Sequence, residues 1–230
     1  VVSYPPPEVA ERTIPMPKAE PIVNDFEPEP YEIVMGKIKK WEGVALSEKG
    51  DTLLSVEIDI VSDKYVWTCG SSDRIFSNKD TISINDFGAV IRNLQYHKHF
   101  NNAQAVICVG TASSEGEREN EEWRARKRAL KLVDLVKSNL PASNQPQIYG
   151  ANFGQYLGEA LACSPKTLNQ RRIILVKIVK QTPAMSLPEI EGRLADIFVK
   201  KAKEVGDQFP IDIRKYSKYK FNKYGMIIDN

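Results

Sequence analysis

Alternating hydrophobic and polar residues near the start of the chain predict two β-strands joined by a turn. The strands are predicted in YEIVMGKIKKWEGVAL and TLLSVEIDIV, and SEKGD supplies the turn between them. In the second segment, Ser55, Glu57 and Asp59 alternate with aliphatic residues, which predicts a strand with one side facing solvent. KYVWTCGS follows and is predicted as another short strand. The N-terminal part of the chain is therefore expected to be rich in β-structure.

Helices and buried strands are predicted further along. SINDFGAVIRNLQYHKHF has apolar residues at helical spacing, and AQAVICVG is a continuous apolar run typical of a buried central strand. A long charged helix is predicted from about Glu117 to Ser138, followed by a short strand in PQIYGANFG and another in RRIILVKIVKQ. The order β, α, β, α, β, β over residues 64–181 favours an α+β fold, a compact two-layer α/β sandwich.

The two ends of the chain differ in composition from this central region. Residues 1–30 hold eight of the fourteen prolines, which predicts a semi-rigid, extended spacer before a β-rich N-terminal elaboration over 31–63. Residues 182–230 add a C-terminal helical extension, with a helix in LPEIEGRLADIFVKKAKEVG and a basic-aromatic tail. In that tail, Tyr219 and Phe221 alternate with lysines, which favours an amphipathic edge strand. A partner-binding or glycan-binding arm is the alternative.

Composition and charge exclude few functions. The chain is 42% hydrophobic and 27% charged, as in ordinary soluble globular proteins, and its net charge of +2 gives no reason to expect a nucleic-acid partner. It contains no run of 18 apolar residues, so no transmembrane helix is predicted. The proline-rich beginning without Met leads us to expect a membrane-anchoring segment upstream of Val1.

Cysteine and histidine positions do not predict a metal site or a cofactor. Cys69, Cys108 and Cys163 form no CxxC pair and no zinc-binding spacing with histidine. We expect buried free thiols, with one disulfide as the alternative in an oxidising compartment. His97 and His99 form an HxH motif without a third ligand, so a solvated helix end is predicted there.

The small-residue turn GTASSEG, between the buried strand and the charged helix, carries the candidate chemistry. Ser114 lies two residues before Gly116, but Ala112 occupies the position of the first glycine of a nucleophile elbow. No histidine is placed beside Ser114, so a serine hydrolase is the weaker hypothesis. The turn also lacks the GK[ST] ending of a phosphate-binding loop, although a looser anion site at the helix N-terminus stays open.

The segments AVICVGTASSEGERENEEWRARKRALKLVDLVKS and LNQRRIILVKI resemble the OmpA-like domain family. This family includes outer-membrane protein tails, peptidoglycan-associated lipoproteins and flagellar stator proteins of the MotB type. The resemblance covers residues 64–181 and implies a βαβαβ-type sandwich. It also implies a non-enzymatic periplasmic domain that binds peptidoglycan through the diaminopimelate of the stem peptide. Such a domain anchors a membrane-associated assembly and has other envelope proteins as partners.

The resemblance assigns the two halves of this ligand site to particular residues. The family's ammonium-binding Asp falls on Ser113, which has a hydroxyl but no charge. The family's carboxylate-binding Arg falls on Arg128, followed by Ala129 as the pattern requires. The helix Asn falls on Glu121, or on Asn120 if the register slips by one residue. The carboxylate half of the site is therefore expected to be intact, whereas the ammonium half has lost its acid, with replacement by Glu115 or Glu121 as the alternative.

The remaining family positions depart from the pattern to different extents. The helix Leu–Ser pair falls on Arg124 and Ala125, while the final strand keeps its Arg–Arg pair at Arg171, with Gln170 in the preceding Asn position. The predicted ligand-binding residues are Ser113, Ser114, Glu121, Arg124, Arg128 and Arg171. The alternative hypothesis is a degenerate OmpA-like domain that has lost peptidoglycan and serves protein–protein contacts in an envelope complex.

Overall fold

A computed structural model defines the fold over most of the chain. The described residues are 39–77, 80–96, 98–141, 145–159, 163–183, 185–209, 211–218 and 226–227. Three predictions fall on other residues: the spacer over 1–30, His97 of the HxH motif, and the alternation of Tyr219 and Phe221. These three predictions lie outside the described residues.

Strands and helices alternate along the described part of the chain much as the periodicity predicts. The strands are β1 Lys39–Leu46, β2 Thr52–Trp67, β3 Arg74–Ser77, β4 Asp80–Ser83, β5 Ala105–Ala112, β6 Gln147–Gln155, β7 Arg172–Gln181 and β8 Met226–Ile227. The helices are α1 Gly88–Tyr96, α2 Arg118–Asn139 and α3 Leu187–Val205. Short 3-10 turns span Pro165–Gln170, Gly206–Gln208 and Ile213–Lys215.

All eight strands belong to one mostly antiparallel sheet. Its order is β4-β3-β2-β7-β5-β6-β8, and β1 pairs with the first half of β2. β5 and β6 are parallel, whereas the other pairings between strands are antiparallel. The predicted α+β class is therefore confirmed.

Helices α1 and α2 cover one face of the sheet. Leu132 and Val136 of α2 pack with Ile91 of α1 against Val61 of β2 and Leu175 of β7, and all five side chains are buried. These residues recur at helical spacing in α1 and α2 and point to one side of each strand. The core therefore follows directly from the hydrophobic pattern.

Helix α3 covers the opposite face of the sheet. Its residues Leu194 and Phe198 are fully buried against Ile58 of β2 and Val176 of β7. The prediction of two layers is therefore wrong, because the helix predicted as a C-terminal extension supplies a third layer. Its amphipathic stripe buries the second apolar side of the central strands, which would otherwise face water.

β2 is longer than predicted and joins two parts of the sheet. Of the segment KYVWTCGS, KYVW is the end of β2 rather than a separate strand and the rest lies in the loop after it, while the predicted boundary at residue 63 falls inside β2. The register with β7 shifts between Val61 and Val66, which marks an irregularity in β2. Beyond it, β2 pairs with β3 of the short β3–β4 hairpin, which the sequence analysis did not identify.

The polar side of β2 is less exposed than predicted. Asp59 is buried, at 1% exposure, and lies 2.8 Å from the Nε2 atom of His99. Glu57 is partly buried and forms an ion pair with Lys177, whose Nζ atom also donates to the main-chain oxygen of His99. The expectation of a solvated histidine is therefore wrong for His99. These contacts pair the polar side chains with each other, which makes their burial tolerable.

Candidate functional site

Helix α2 approaches β5 unusually closely just before the turn at residues 113–117. A Cβ atom on Gly110 would lie 1.9 Å from the main-chain oxygen of Ala125 and 2.7 Å from the main-chain nitrogen of Ala129. Only glycine leaves room for this contact, and the two alanines keep the helix surface flat. The sequence therefore fixes the position of α2 over the end of β5, where the predicted site residues lie.

The two serines of the turn face into the protein. Ser113 and Ser114 are 1% and 4% exposed. The main-chain N–H of Ser114 donates to the Oε1 atom of Gln170 at 3.1 Å, and its hydroxyl donates to the main-chain oxygen of Glu159 at 2.8 Å. The hydroxyl of Ser114 therefore helps to hold the turn against its neighbours. The described histidine, His99, is bonded to Asp59 rather than to this serine.

Arg128 projects from α2 into the interior and has no exposed surface. Its Nη1 atom donates to the main-chain oxygen of Thr111 at 2.7 Å. Its Nη2 atom donates to the oxygens of Thr68 at 2.9 Å and Ser71 at 2.7 Å, and Nε donates to Ser71 at 2.9 Å. The guanidinium also lies over the ring of Trp67, with 5.4 Å to its centroid. Arg128 thus ties the loop after β2 to the end of β5.

The guanidinium of Arg128 has no hydrogen-bonded carboxylate partner among the described residues. Burial lowers its pKa to about 9, and the nearby charge of Glu121 opposes that shift. The group therefore stays protonated at neutral pH. Main-chain carbonyl dipoles stabilise the buried charge in place of water.

Two ion pairs surround Arg128. Arg124 pairs with Glu121, three residues before it on α2, and Glu121 is 5% exposed. Arg171, which follows the 3-10 turn at Pro165–Gln170, lies with its Nε atom 3.8 Å from Glu115. Burial lowers the pKa of Arg171, and the charges of Glu115 and Glu121 oppose this effect. The cluster holds three arginines and two glutamates, an excess of one positive charge.

A disulfide closes the rim of this cluster. Cys69 and Cys163 are joined, whereas Cys108 is a buried free thiol. The expectation of free thiols is therefore wrong for two of the three cysteines, and the alternative of one disulfide is confirmed. Cys69 follows Thr68, whose carbonyl accepts from Arg128, and its sulfur lies 3.5 Å from the Oε1 atom of Glu115. The bond therefore fixes the loop that covers Arg128.

The structure brings the predicted site residues together but directs them toward one another. Ser114 contacts Gln170, Arg124 contacts Glu121, and the polar groups of Arg128 contact main-chain oxygens. The ion pair of Glu115 with Arg171, the contact of Gln170 with Ser114 and the pairing of Cys69 with Cys163 were not predicted from the sequence. In the resemblance to the OmpA-like pattern, Gln170 falls on the Asn before the Arg–Arg pair, which drew attention to this residue. No sequence pattern indicated which two cysteines pair.

No protein-family model matches the chain, and no curated protein is significantly similar to it. Among the described helices, none has the length and apolar character needed to cross a bilayer.

Proposed function

We propose that this chain is a non-enzymatic, OmpA-like domain of the bacterial cell envelope that serves protein–protein contacts in a membrane-associated assembly. The observation that carries this proposal is the complete burial of Arg128 and its bonds to three main-chain oxygens. The resemblance implies that this arginine would otherwise hold the carboxylate of diaminopimelate. Its present contacts favour the degenerate form of the domain.

Engagement of a ligand by Arg128 would remove donors from the buried carbonyl of Thr111 and from the carbonyls of the half-buried Thr68 and Ser71. Each buried acceptor left without a partner costs about 1–3 kcal/mol. Release of these carbonyls would therefore offset part of the free energy gained from a ligand carboxylate. At the ammonium half of the site, Ser113 is buried and carries no charge. Both observations count against a zwitterionic ligand at this site and support the degenerate form of the domain.

An exposed tryptophan supports a protein-binding role. Trp123 of α2 is 55% exposed, and the Nζ atom of Lys127 lies 3.7 Å from the centroid of its ring. Tryptophan is enriched among the residues that contribute most to binding, near the centre of protein–protein interfaces. Trp123 is not among the buried residues of α2, so core packing does not require a large aromatic side chain at this position.

The disulfide supports the envelope location. Stable disulfides are typical of oxidising compartments such as the periplasm, and rare in the reducing cytosol of most bacteria. The pair Cys69–Cys163 lies at the edge of the arginine cluster, where oxidation holds the covering loop in place.

Sedimentation with purified peptidoglycan sacculi tests the proposal directly. We expect the wild-type protein to stay in the supernatant. Co-sedimentation of the wild type, lost in a folded Arg128→Met variant, would overturn the proposal in favour of wall anchoring. Circular dichroism of the variant is the control for folding.

Cross-linking in the native host tests the positive half of the proposal. A photo-cross-linking amino acid at Trp123 should give a discrete adduct with another envelope protein. The same group at Lys203, which is exposed on α3 across the sheet, is the matched control and should give none. Equal labelling from both positions would contradict a specific surface.

Peptidoglycan binding is the second candidate, and one observation favours it. The buried cluster of Arg124, Arg128 and Arg171 carries one more positive charge than its two glutamates balance. A ligand carboxylate at the rim would neutralise that excess. The sacculus assay separates this candidate from the first.

A further inference from the structure

A separate cleft of about 500 Å³ opens beside the arginine cluster. Its walls are the 3-10 turn Pro165–Gln170, the 3-10 turn Ile213–Lys215, and the ends of β6 and α3. The polar side chains that matter for binding are those of Tyr156, Lys166, Asn169, Gln170, Asp212 and Lys215. A volume of this size accommodates a small-molecule ligand.

The walls of the cleft are fixed by contacts between the two turns. The buried hydroxyl of Tyr216 donates to the main-chain oxygen of Gln170 at 3.2 Å. Tyr216 also forms a β-bridge with Tyr156, and the main-chain N–H of Leu157 donates to the oxygen of Lys215 at 2.5 Å. Because the backbone on both sides is held in this way, little ordering is needed when a ligand enters.

The charges that line the cleft do not cancel. Asp212 receives hydrogen bonds from both the Nε and Nη2 atoms of Arg214, each at 2.8 Å, so this acid is already neutralised. Lys166 and Lys215 are exposed and form no ion pair among the described residues, although the charge of Lys215 helps to lower the pKa of Asp212. The cleft is lined by three cationic side chains and one acid, which leaves a net charge of +2 in a concave site: Lys166, Arg214 and Lys215 against Asp212. A concave surface of one sign concentrates ions of the opposite sign.

Neutral donors complete the site. The Oδ1 atom of Asn169 accepts from Arg172, which leaves the amide nitrogen of Asn169 as a donor toward the cleft. The side chain of Tyr156 lines the same cleft and adds a hydroxyl. Lysine ammonium groups bind oxygen anions as point charges, without the planar geometry that arginine imposes. The site therefore suits tetrahedral phosphate as well as carboxylate oxygens.

We propose that this cleft binds a small anionic ligand that carries a phosphate or several carboxylates, held by Lys166 and Lys215. The proposal does not depend on the protein-binding role of the α2 surface. Gln170 lines the cleft and also accepts the hydrogen bond from Ser114. Gln170 therefore connects the cleft to the turn before α2.

Titration with inorganic phosphate and with citrate at low ionic strength, followed by amide NMR shifts, tests the proposal. We expect saturable shifts confined to residues 156–158, 166–170 and 211–216. The variant Lys166→Gln/Lys215→Gln should weaken binding about tenfold or more, because both charged hydrogen bonds are lost. Binding should also weaken as salt rises.

A matched variant controls for net charge. Lys49→Gln/Lys180→Gln removes two exposed lysines away from the cleft and should bind both anions as the wild type does. Equal weakening in the two variants, or shifts spread over the whole surface, would overturn the proposal. Absence of saturable shifts with either anion and with phosphatidylglycerol vesicles would overturn it as well.

Vesicles of phosphatidylglycerol identify the source of the anion. Saturable binding to vesicles that depends on Lys166 and Lys215, with only weak shifts from free phosphate, assigns the site to a lipid headgroup. The reverse result assigns it to a soluble metabolite. Both results support the same anion chemistry.

Discussion

Removal of the Cys69–Cys163 disulfide should destabilise this protein substantially. The two cysteines are 94 residues apart in sequence. For a closed loop of this length, the loss of conformational entropy in the unfolded chain corresponds to about 4.6 kcal/mol at 25 °C. Disulfides of this kind commonly contribute about 2–4 kcal/mol, because the reduced unfolded chain keeps some structure. We therefore expect the free energy of unfolding to fall by about 2–4 kcal/mol.

A local effect should accompany the global one. Cys69 lies between Thr68 and Ser71, whose carbonyls accept hydrogen bonds from Arg128. Without the bond to Cys163, this loop keeps only its non-covalent contacts. Hydrogen exchange of the amides at 68–71 should therefore accelerate more than exchange within β5, where Cys108 is fully buried.

Urea unfolding of the wild type and of Cys69→Ser/Cys163→Ser, each with and without reductant, measures the global effect, and hydrogen exchange of the same four samples measures the local one. Reductant should lower the wild-type midpoint to that of the variant and leave the variant unchanged. Cys108 is present in both proteins, and burial raises the pKa of its thiol, which keeps it unreactive. The reasoning is refuted if full reduction, verified by mass spectrometry, leaves the wild-type midpoint where it was.

Three further predictions concern α2 and the residues that it contacts, with Gly192 of α3 as the control for one of them. Arg128→Met should lower the free energy of unfolding by about 3 kcal/mol, measured in urea, because the buried carbonyl of Thr111 and the half-buried carbonyls of Thr68 and Ser71 lose their donors. Gly110→Ala should prevent α2 from docking on β5 and abolish the cooperative urea transition. Gly192→Ala has open space around the added Cβ, so it should raise the free energy of unfolding by about 0.5–1 kcal/mol. Burial alone would raise the pKa of Glu122, but hydrogen bonds led by that from Lys218 lower it to about 2. The stabilisation by ionised Glu122 is complete above the ordinary pKa of about 4.5 and is lost as pH falls toward 2. The urea midpoint of Glu122→Gln should therefore fall less than that of the wild type between pH 5 and 2.

The periodic elements could be predicted from the sequence because each has a continuous pattern. β5 is an uninterrupted apolar run and is buried at every residue. α2 was predicted from 117 to 138 and spans Arg118–Asn139, since its inner stripe and its charged outer side repeat over six turns. α3 was equally clear as a helix.

What the sequence could not supply was the relation between distant segments. β3 and β4 are four residues each, too short for a periodic signal. The stripe of α3 shows that one side is buried but not which face of the sheet it covers. The contacts of Arg128 with Thr68 and Ser71 join residues 60 and 57 positions apart. No local pattern encodes such contacts, which arise only when the sheet has formed.

Burial at position 113 and at Arg128 favours neutral neighbours at both residues. A carboxylate at position 113 would be nearly without solvent, since Ser113 is 1% exposed. It would need a cationic partner, and the nearby arginines already have partners in Glu115, Glu121 and main-chain oxygens. A neutral hydroxyl avoids that desolvation cost. Arg128 is likewise surrounded by neutral acceptors, because its guanidinium donates to the main-chain oxygens of Thr68, Ser71 and Thr111. A carboxylate introduced at position 113 should therefore destabilise the fold more than a neutral residue of similar size.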